Sequence, residues 1–320
     1  MTILHSTPTP TPTVDPSNPS ILRWDEIGLM LIHDFITQDD EATMIEAFHA
    51  QDPLTEIQGN LRKRISQHFG HHFDYTTFGA SDTRFTPVPD YITNFLPRLP
   101  IQNPLPDQFT VQYYPPGSGI PPHVDTHSMF GEALYSLSFG SAVPMQFRMS
   151  GANDARKMRL PKRSVQQQQQ QHQQNTTANP PSPHSVTTTA ATTTPKEPPQ
   201  PQTLPPSSAP DDEPHPPWEI LLPARSLLLM TGAARYGYTH AIRPRKTDVI
   251  GGDNGEAVPR RGRYSITMRS VRRGEEVGCD CKFPGVCDAR VREEMERGGG
   301  GGGGGDDGGG GAAAAAARQP

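Results

Sequence analysis

Alternating apolar and polar residues recur along the chain, and a period of two predicts β-strands. We predict strands over Trp24–Phe35 and over residues 109–114, 134–139, 144–149, 220–223, 226–230 and 264–271. Helical spacing is confined to a helix that begins with Thr37 as its N-cap and a short helix over residues 90–99. Many short strands bounded by Gly and Pro, with few helices, predict a mainly β (α+β) sandwich or jelly roll.

Composition limits the folded part to one domain. Of 320 residues only 33% are hydrophobic, and the chain contains 36 Pro and 30 Gly. This bias is concentrated in residues 1–20, 153–216 and 298–320, where too little apolar surface is available to offset the ordering entropy. We predict that these segments are disordered and that one domain, spanning residues 21–290, is interrupted by the low-complexity insertion at 153–216.

Two candidate metal ligands are adjacent in Pro121–His127, which is predicted to be the end of a strand. His123 and Asp125 are two positions apart and would therefore lie on one face. With the distant His240 they would form the two-histidine, one-carboxylate ligand set of non-heme Fe(II) oxygenases, which leaves positions open for other ligands.

The predicted last strand carries a row of polar residues. Arg263, Ser265, Thr267 and Arg269 alternate with apolar residues and therefore share one face of this strand. Four polar groups on an inner face would be costly unless an anionic ligand satisfies them. The planar fork of an arginine matches a carboxylate, so this face is suited to binding one.

In this order, His123-x-Asp125, His240 and Arg263-x5-Arg269 resemble the AlkB-type Fe(II)/2-oxoglutarate dioxygenases. The segment 119–128 and the cysteines near the C-terminus resemble the tRNA wobble-uridine hydroxylase branch of AlkB homologues. The resemblance implies a double-stranded β-helix (jelly roll) that uses Fe(II), 2-oxoglutarate and O₂. The resemblance also implies that Arg263, with help from Tyr114, binds the far carboxylate of 2-oxoglutarate. It places three further residues near the cosubstrate or the iron-facing end: Gln112, Ser265 and Arg269.

Three cysteines, Cys279, Cys281 and Cys287, provide thiolates for a structural zinc ion, which needs four ligands. The wobble-uridine branch has a histidine just after the iron motif that completes such a site, and His127 occupies that position. His127 shares the strand parity of Asp125, but a turn after Asp125 would aim its ring away from the iron. The alternative is three surface thiols and a solvated histidine.

Charge and cysteine usage add information about partners and compartment. The net charge is −5, yet residues 235–273 contain ten Arg or Lys and three acidic residues. This excess suits an anionic cosubstrate and a phosphate backbone, although an ordinary solvated basic face is the alternative. We expect no membrane span and no signal peptide, and the clustered cysteines favour a reducing compartment, cytoplasmic and/or nuclear.

Residues 61–75 are a mixture of basic and aromatic residues. This mixture resembles the substrate lid of the family, in which rings stack on the target base and Arg or Lys meets phosphate. The alternative is an edge strand whose aromatic residues belong to the core. The three histidines of the segment have no partner carboxylate at a suitable spacing, so we do not assign them to a metal.

These observations predict an enzyme that hydroxylates a nucleic-acid base, with RNA binding, and they favour a modified wobble uridine in tRNA. One alternative is oxidative demethylation of alkylated DNA or RNA bases. Another is a non-catalytic nucleic-acid-binding module, which would not need the intact iron ligands. Animal members of the branch also contain an RNA-recognition domain and a methyltransferase, whose motifs we do not find, so a separate methyltransferase protein is a candidate partner.

Overall fold

The computed structural model describes the following residues: 10–51, 64–74, 79–151, 215–250, 255–290 and 293. The insertion predicted over residues 153–216 lies outside the described residues except for its last two, and the tail predicted over 298–320 lies outside them entirely. No helix within the described ranges is long and apolar enough to span a membrane.

Short strands make up most of the described chain. The strands are β1 (Thr13–Asp15), β2 (Asn18–Trp24), β3 (Leu29–Ile32), β4 (Ile65–Asp74), β5 (Gly79–Thr86), β6 (Gln108–Tyr114), β7 (Ile120–His123), β8 (Phe130–Gly140), β9 (Val143–Met149), β10 (Trp218–Leu222), β11 (Ser226–Met230), β12 (Tyr238–Ile242), β13 (Thr247–Ile250), β14 (Glu256–Pro259) and β15 (Arg263–Val271). The α-helices are α1 (Gln38–Gln51), α2 (Asp90–Thr93) and α3 (Gly232–Tyr236). Single 3₁₀ turns occur at Leu96–Arg98, Gly274–Glu276 and Pro284–Val286.

Two antiparallel sheets and a short hairpin organise these strands. The large sheet has the order β1-β2-β3-β11-β8-β15-β6-β4-β5, the small sheet has the order β10-β9-β12-β7, and β13 pairs with β14. Leu31 and Leu228 of the large sheet pack with Val143, Phe147 and Ile242 of the small sheet in one buried core. The two sheets therefore face each other, and the predicted mainly β jelly roll is confirmed.

A second core covers the other face of the large sheet. Phe48 of α1 and Ile92 of α2 are fully buried there against Val111 and Ile266. The helices thus shield one face of the large sheet, and the small sheet shields the other. This layering leaves the space between the two sheets as the place where inward-pointing polar residues meet.

Strand parity decides which side chains of β15 reach that space. Tyr264, Ile266 and Met268 belong to the core on the helix side. Because successive side chains of a strand point to opposite faces, Arg263 and Ser265 point between the sheets, where both are buried. The predicted polar face of the last strand is therefore an interior face.

The N-terminal residues are more ordered than composition suggested. Disorder was predicted for residues 1–20, of which 1–9 lie outside the described residues, but residues 13–15 and 18–24 form the hairpin β1–β2. Asp15 stabilises its turn, since it accepts hydrogen bonds from the amide and hydroxyl of Ser17 and pairs with Arg23 at 2.8 Å. The prediction is wrong for residues 13–20, because side-chain bonds and pairing of β2 with β3 outweigh the Thr/Pro-rich composition.

Two other predicted elements are shorter than expected. The strand predicted over Trp24–Phe35 is the end of β2 followed by β3, because a turn intervenes in which Gly28 has a φ of 78° that favours glycine. The helix predicted over residues 90–99 ends at Thr93 and is followed by a 3₁₀ turn containing Pro97, which has no amide hydrogen to donate.

Helix α1 begins as predicted. The Thr37 hydroxyl accepts a hydrogen bond from the Asp40 amide at 3.1 Å, and the Asp40 carboxylate accepts one from the Thr37 amide at 3.0 Å. This reciprocal arrangement satisfies two amides that the first turn of a helix leaves unpaired.

Candidate active site and an adjacent cysteine cluster

The structure brings the three candidate iron ligands together. His123 ends β7 and pairs across the small sheet with His240 of β12, whereas Asp125 lies in the turn just beyond β7. One ligand atom from each of the three residues lies within 4.8 Å of the other two. His240 Nε2 is 3.7 Å from Asp125 Oδ2. The expectation that Asp125 would continue the strand is wrong, because pairing stops at His123, but its carboxylate still reaches the two rings.

The protonation states of these residues suit a divalent cation. Burial lowers the pKa of His123, and burial together with the nearby His123 lowers the pKa of His240 to about 3, so both imidazoles are neutral. Burial by itself would raise the pKa of Asp125, but the adjacent Arg269 guanidinium holds that pKa well below its usual value. His123 Nδ1 is 2.9 Å from the Pro121 carbonyl, which leaves Nε2 with its lone pair available.

Arg269 connects the carboxylate ligand to the large sheet. Its guanidinium donates to Asp125 Oδ1 at 2.8 Å and to Gln108 Oε1 at 3.0 Å. The other oxygen, Asp125 Oδ2, is buried without a hydrogen-bond partner among the described residues. Such an atom fits contact with a metal ion, so the residues present fit Fe(II). Arg269 lies at the iron-facing end of the polar row.

Arg263 lies at the other end of that row. Its side chain is buried, with Nε donating to Ser138 Oγ at 2.9 Å and the guanidinium carbon 5.1 Å from the centre of the Tyr114 ring. Its Nη2 is buried and has no hydrogen-bond partner among the described residues. Burial lowers the pKa of Arg263, which means that the cation is poorly solvated. An anion with two oxygens would satisfy this site, and the far carboxylate of a 2-oxo acid has that form.

The remaining predicted cosubstrate residues lie between these two arginines. On β6, Tyr114 is opposite Arg263 and Gln112 is opposite Ser265. The Tyr114 hydroxyl donates to Gln112 Oε1 at 2.8 Å, and Gln112 donates to Ser66 Oγ at 3.2 Å. Gln112 therefore fixes the orientation of the tyrosine, while Ser265 contributes a small, buried polar surface to the row.

The cysteine cluster assembles as predicted. Ligand atoms of His127, Cys279, Cys281 and Cys287 all lie within 4.8 Å of one another, and Cys281 Sγ is 3.4 Å from His127 Nδ1. Burial lowers the pKa of His127 to about 4, so its ring is neutral and able to act as a ligand. Three cysteine thiols and one imidazole are a ligand combination found in structural zinc sites, so the residues present fit zinc.

Two buried charged residues near both clusters were not assigned a role from the sequence. Arg235 donates to the backbone carbonyls of Asp125 and Thr126, and Asp288 accepts hydrogen bonds from the backbone amides of His127 and Ser128. The only sequence signal was position, since Arg235 lies five residues before His240 and Asp288 directly follows Cys287. A charged residue so close in sequence to buried metal ligands is expected to be buried with them, and a buried charge needs a hydrogen-bond or ionic partner.

Strand β4 covers most of the segment 61–75 that was predicted to be a substrate lid, whereas residues 61–63 and 75 lie outside the described residues, and β4 forms a hairpin with β5. Phe69 and Phe73 are buried in cores, so the alternative of an edge strand with core aromatic residues is correct for these two rings. Other residues of the hairpin region face outward: Phe85 is 54% exposed, and the exposed Arg64 places its guanidinium carbon 5.6 Å from the centre of the Tyr114 ring. The hairpin thus combines a structural face with an exposed ring, and Arg64, just before β4, lies against Tyr114 of the candidate site.

Comparisons with known proteins find one matching family and several similar proteins. The model of the 2OG-Fe(II) oxygenase superfamily matches residues 28–269. The tRNA (carboxymethyluridine(34)-5-O)-methyltransferase alkbh8 of Xenopus tropicalis is 31% identical over 286 residues, which are 83% of this chain and 35% of that protein. The alkylated DNA repair protein ALKBH8 homolog of Arabidopsis thaliana is 29% identical over 281 residues, 82% of this chain and 63% of that protein. The structure of OsALKBH1 aligns over 76% of this chain and 97% of its own, with a TM-score of 0.40 and 14% identity.

Proposed function

We propose, from the premise that this chain belongs to the 2OG-Fe(II) oxygenase superfamily, that it hydroxylates a modified wobble uridine of tRNA. Membership of that superfamily, with AlkB homologues among its relatives, makes the chain a 2-oxoglutarate-dependent dioxygenase with 2-oxoglutarate and O₂ as cosubstrates. The chain spans about a third of the length of the Xenopus relative, so the choice of substrate is the part of the function that we propose.

The proposed iron ligands are His123, Asp125 and His240. The observation that carries this assignment is the convergence of their ligand atoms within 4.8 Å, with a buried and unpaired Asp125 Oδ2 among the described residues. When bound, Fe(II) supplies the open coordination positions at which the family activates O₂ beside the 2-oxo acid. Arg269 keeps Asp125 ionised and oriented, so one oxygen of the carboxylate remains directed at the metal.

Arg263 is the proposed anchor of the far carboxylate of 2-oxoglutarate. Its buried Nη2 and the adjacent Tyr114 provide a cationic end wall, and the row of residues between Arg263 and Arg269 fixes the direction in which an elongated dianion can lie. Burial of the arginine matters, because a charge-assisted pair is stronger where water is excluded.

A nucleic-acid substrate is supported by the outer face of the β4–β5 hairpin. The exposed ring of Phe85 offers a stacking surface, and its centre lies 5.1 Å from that of the His71 ring. The exposed Arg64 lies against the Tyr114 ring and can pair with phosphate. The Xenopus relative is named for carboxymethyluridine 34 of tRNA, which favours a wobble uridine over other bases and makes a methyltransferase acting on the same nucleoside a candidate partner.

A structural zinc ion held by His127 and the three cysteines completes the proposal. These side chains join the segment after β15 to the turn after β7. That segment has few apolar residues, among them the exposed Val277 and the buried Val286, so little else anchors it. Zinc there would contribute folding free energy directly.

The iron assignment is tested by changing one ligand at a time. We expect His123→Ala, Asp125→Ala and His240→Ala each to abolish succinate formation from 2-oxoglutarate, with the circular dichroism spectrum unchanged. Each change removes one of three protein ligands. Turnover at the wild-type rate in any one of these variants would exclude that residue as a ligand.

The substrate is tested by mass spectrometry of tRNA nucleosides from cells with and without this protein. Accumulation of a non-hydroxylated wobble uridine after deletion supports the proposal. Unchanged wobble nucleosides together with an excess of methylated bases would instead favour oxidative demethylation. If neither pool changes while the purified protein still converts 2-oxoglutarate, the nucleic-acid substrate is wrong and the enzymatic assignment stands.

A further inference from the structure

One short turn carries a residue of each cluster. Asp125 belongs to the candidate iron site and His127 to the cysteine cluster, with Thr126 between them. Thr126 and His127 are buried, and Asp125 is 9% exposed. The turn lies beyond β7, so its backbone groups have no strand ladder to pair with and must be satisfied by other groups.

Arg235 satisfies the carbonyl groups of this turn. Its side chain is 1% exposed and donates from Nη1 to the Asp125 carbonyl at 2.9 Å and from Nη2 to the Thr126 carbonyl at 2.7 Å. Its Nε donates to the Gly131 carbonyl at 3.4 Å. Arg235 belongs to α3, which leads directly into β12 and His240. One guanidinium therefore joins the segments that carry the carboxylate and a histidine of the iron site.

Asp288 satisfies the amide groups of the same turn. Its side chain is also buried, and Oδ1 accepts hydrogen bonds from the His127 amide at 2.7 Å and the Ser128 amide at 3.1 Å. Its Oδ2 accepts a hydrogen bond from the Ser128 hydroxyl. Residues 279–287, which contain the three cysteines, are called the cysteine segment. Because Asp288 follows Cys287, its carboxylate can remain in place only while the cysteine segment is packed against the turn.

Tyr236 adds a third connection. Its ring lies edge-on to His127, with centroids 5.1 Å apart, and under the guanidinium of Arg235 at 4.8 Å. The tyrosine hydroxyl accepts a hydrogen bond from Arg272, which also donates to the Gly278 carbonyl next to the first cysteine. The contacts around the turn are thus continuous from the cysteine segment to the iron ligands.

We propose that Arg235 and Asp288 clamp the turn 125–128 so that metal binding at the cysteine cluster tightens metal binding at the iron site. This inference rests on the ligand sets of the proposed function. Undocking the cysteine segment would remove Asp288 from two buried amides, and a buried amide without a partner is unfavourable. The turn would then shift, and Asp125 would lose its position. Arg235 and Asp288 are positioning residues in this scheme, and thermodynamic linkage requires that iron-site occupancy tighten zinc binding equally.

The coupling is measured on the full chain with Mn(II) as the probe of the iron site. Mn(II) prefers oxygen and nitrogen donors to thiolates, so it distinguishes the two clusters. Its Kd is determined from the electron paramagnetic resonance of free Mn(II), in zinc-loaded protein and in protein stripped of zinc by a chelator. We expect a Kd about 10-fold weaker without zinc, within the 5- to 150-fold typical of coupled sites. Circular dichroism establishes that both forms are folded.

Variants test whether the clamp carries the coupling. Asp288→Ala should reduce the zinc dependence of the Mn(II) Kd to less than about twofold, and Asp288→Asn, which can still accept both amides, should restore most of it. Arg235→Lys should give an intermediate value, because one ammonium does not reproduce the guanidinium fork. Asp248→Ala is the matched control, since Asp248 is also a buried carboxylate but is paired with Arg260 on the β13–β14 hairpin, and this variant should keep the full dependence.

The outcomes separate this inference from the function on which it rests. Equal Mn(II) affinity with and without zinc in wild-type protein overturns the coupling and leaves the iron site intact. Loss of the dependence in Asp248→Ala as well would mean that general destabilisation causes it, and this result also overturns the clamp. If wild-type protein binds no Mn(II) in either form, the iron ligand set and the inference both fail.

Discussion

Replacing Arg263 by lysine tests how the chain binds its cosubstrate. Arg263 is 2% exposed and anchored through Nε to Ser138, and its buried Nη2, beside Tyr114, has no hydrogen-bond partner among the described residues. Lysine keeps a positive charge but provides a single nitrogen, which cannot hold both oxygens of a carboxylate in the plane of a fork. Lysine also loses its proton more easily than arginine when it is buried.

The size of the effect follows from the number of bonds lost. A hydrogen bond to a charged group contributes about 1.5–3 kcal/mol. Loss of one of two such bonds raises KM for 2-oxoglutarate by a factor of about 10 to 150, since about 1.4 kcal/mol corresponds to tenfold. The anchor contacts the far end of the cosubstrate in ground state and transition state alike, so kcat should change much less than KM.

The assay is succinate formation as a function of 2-oxoglutarate concentration in Arg263→Lys and in the matched control Arg98→Lys. Arg98 donates to the Phe35 carbonyl and lies near α1, away from the space between the sheets. We expect the control to keep the wild-type KM. A KM for Arg263→Lys within twofold of wild type would refute the assignment and transfer the carboxylate to Arg269.

Two further predictions concern the cysteine cluster and the core. Elemental analysis should find one zinc per chain, and His127→Ala should lower that content to a minor fraction while iron still binds at saturating concentration; an unchanged zinc content would exclude His127 as a ligand. Phe147→Ala should lower the free energy of unfolding in urea by about 3–5 kcal/mol, because Phe147 is fully buried against Trp218, and Phe147→Leu should cost less. A loss below about 1 kcal/mol for the alanine variant would mean that the core closes around the cavity.

Strand parity explains why so much of the site could be predicted from the sequence. In β15 the alternation of arginine and serine with tyrosine, isoleucine and methionine specifies two faces, and the structure buries both in different environments. The register then follows from pairing: Arg263 is opposite Tyr114, and Ser265 is opposite Gln112. A local pattern was sufficient here because the side-chain period of a strand is fixed by backbone geometry.

Contacts between distant segments could not be predicted in the same way. The hairpin β1–β2 forms although its composition is rich in Thr and Pro, because Asp15 bonds with Ser17 and Arg23 and because β2 finds a partner in β3. Ser138 accepts a hydrogen bond from Arg263 only because β8 lies beside β15. Neither contact can be predicted from a short stretch of sequence, since each depends on which strands pair in the sheet.

The spacing between Asp125 and His127 shows where a parity argument ends. On a regular strand both side chains would point to the same face, and both could then bind the same metal ion. Pairing ends at His123, so the turn directs the two side chains to different clusters, but a buried turn leaves backbone carbonyls and amides without ladder partners. The carbonyl of Asp125 finds Arg235, and the amide of His127 finds Asp288. Two ligand sets can therefore share one turn only because two buried charges, supplied by segments more than a hundred residues away, hold its backbone from opposite sides.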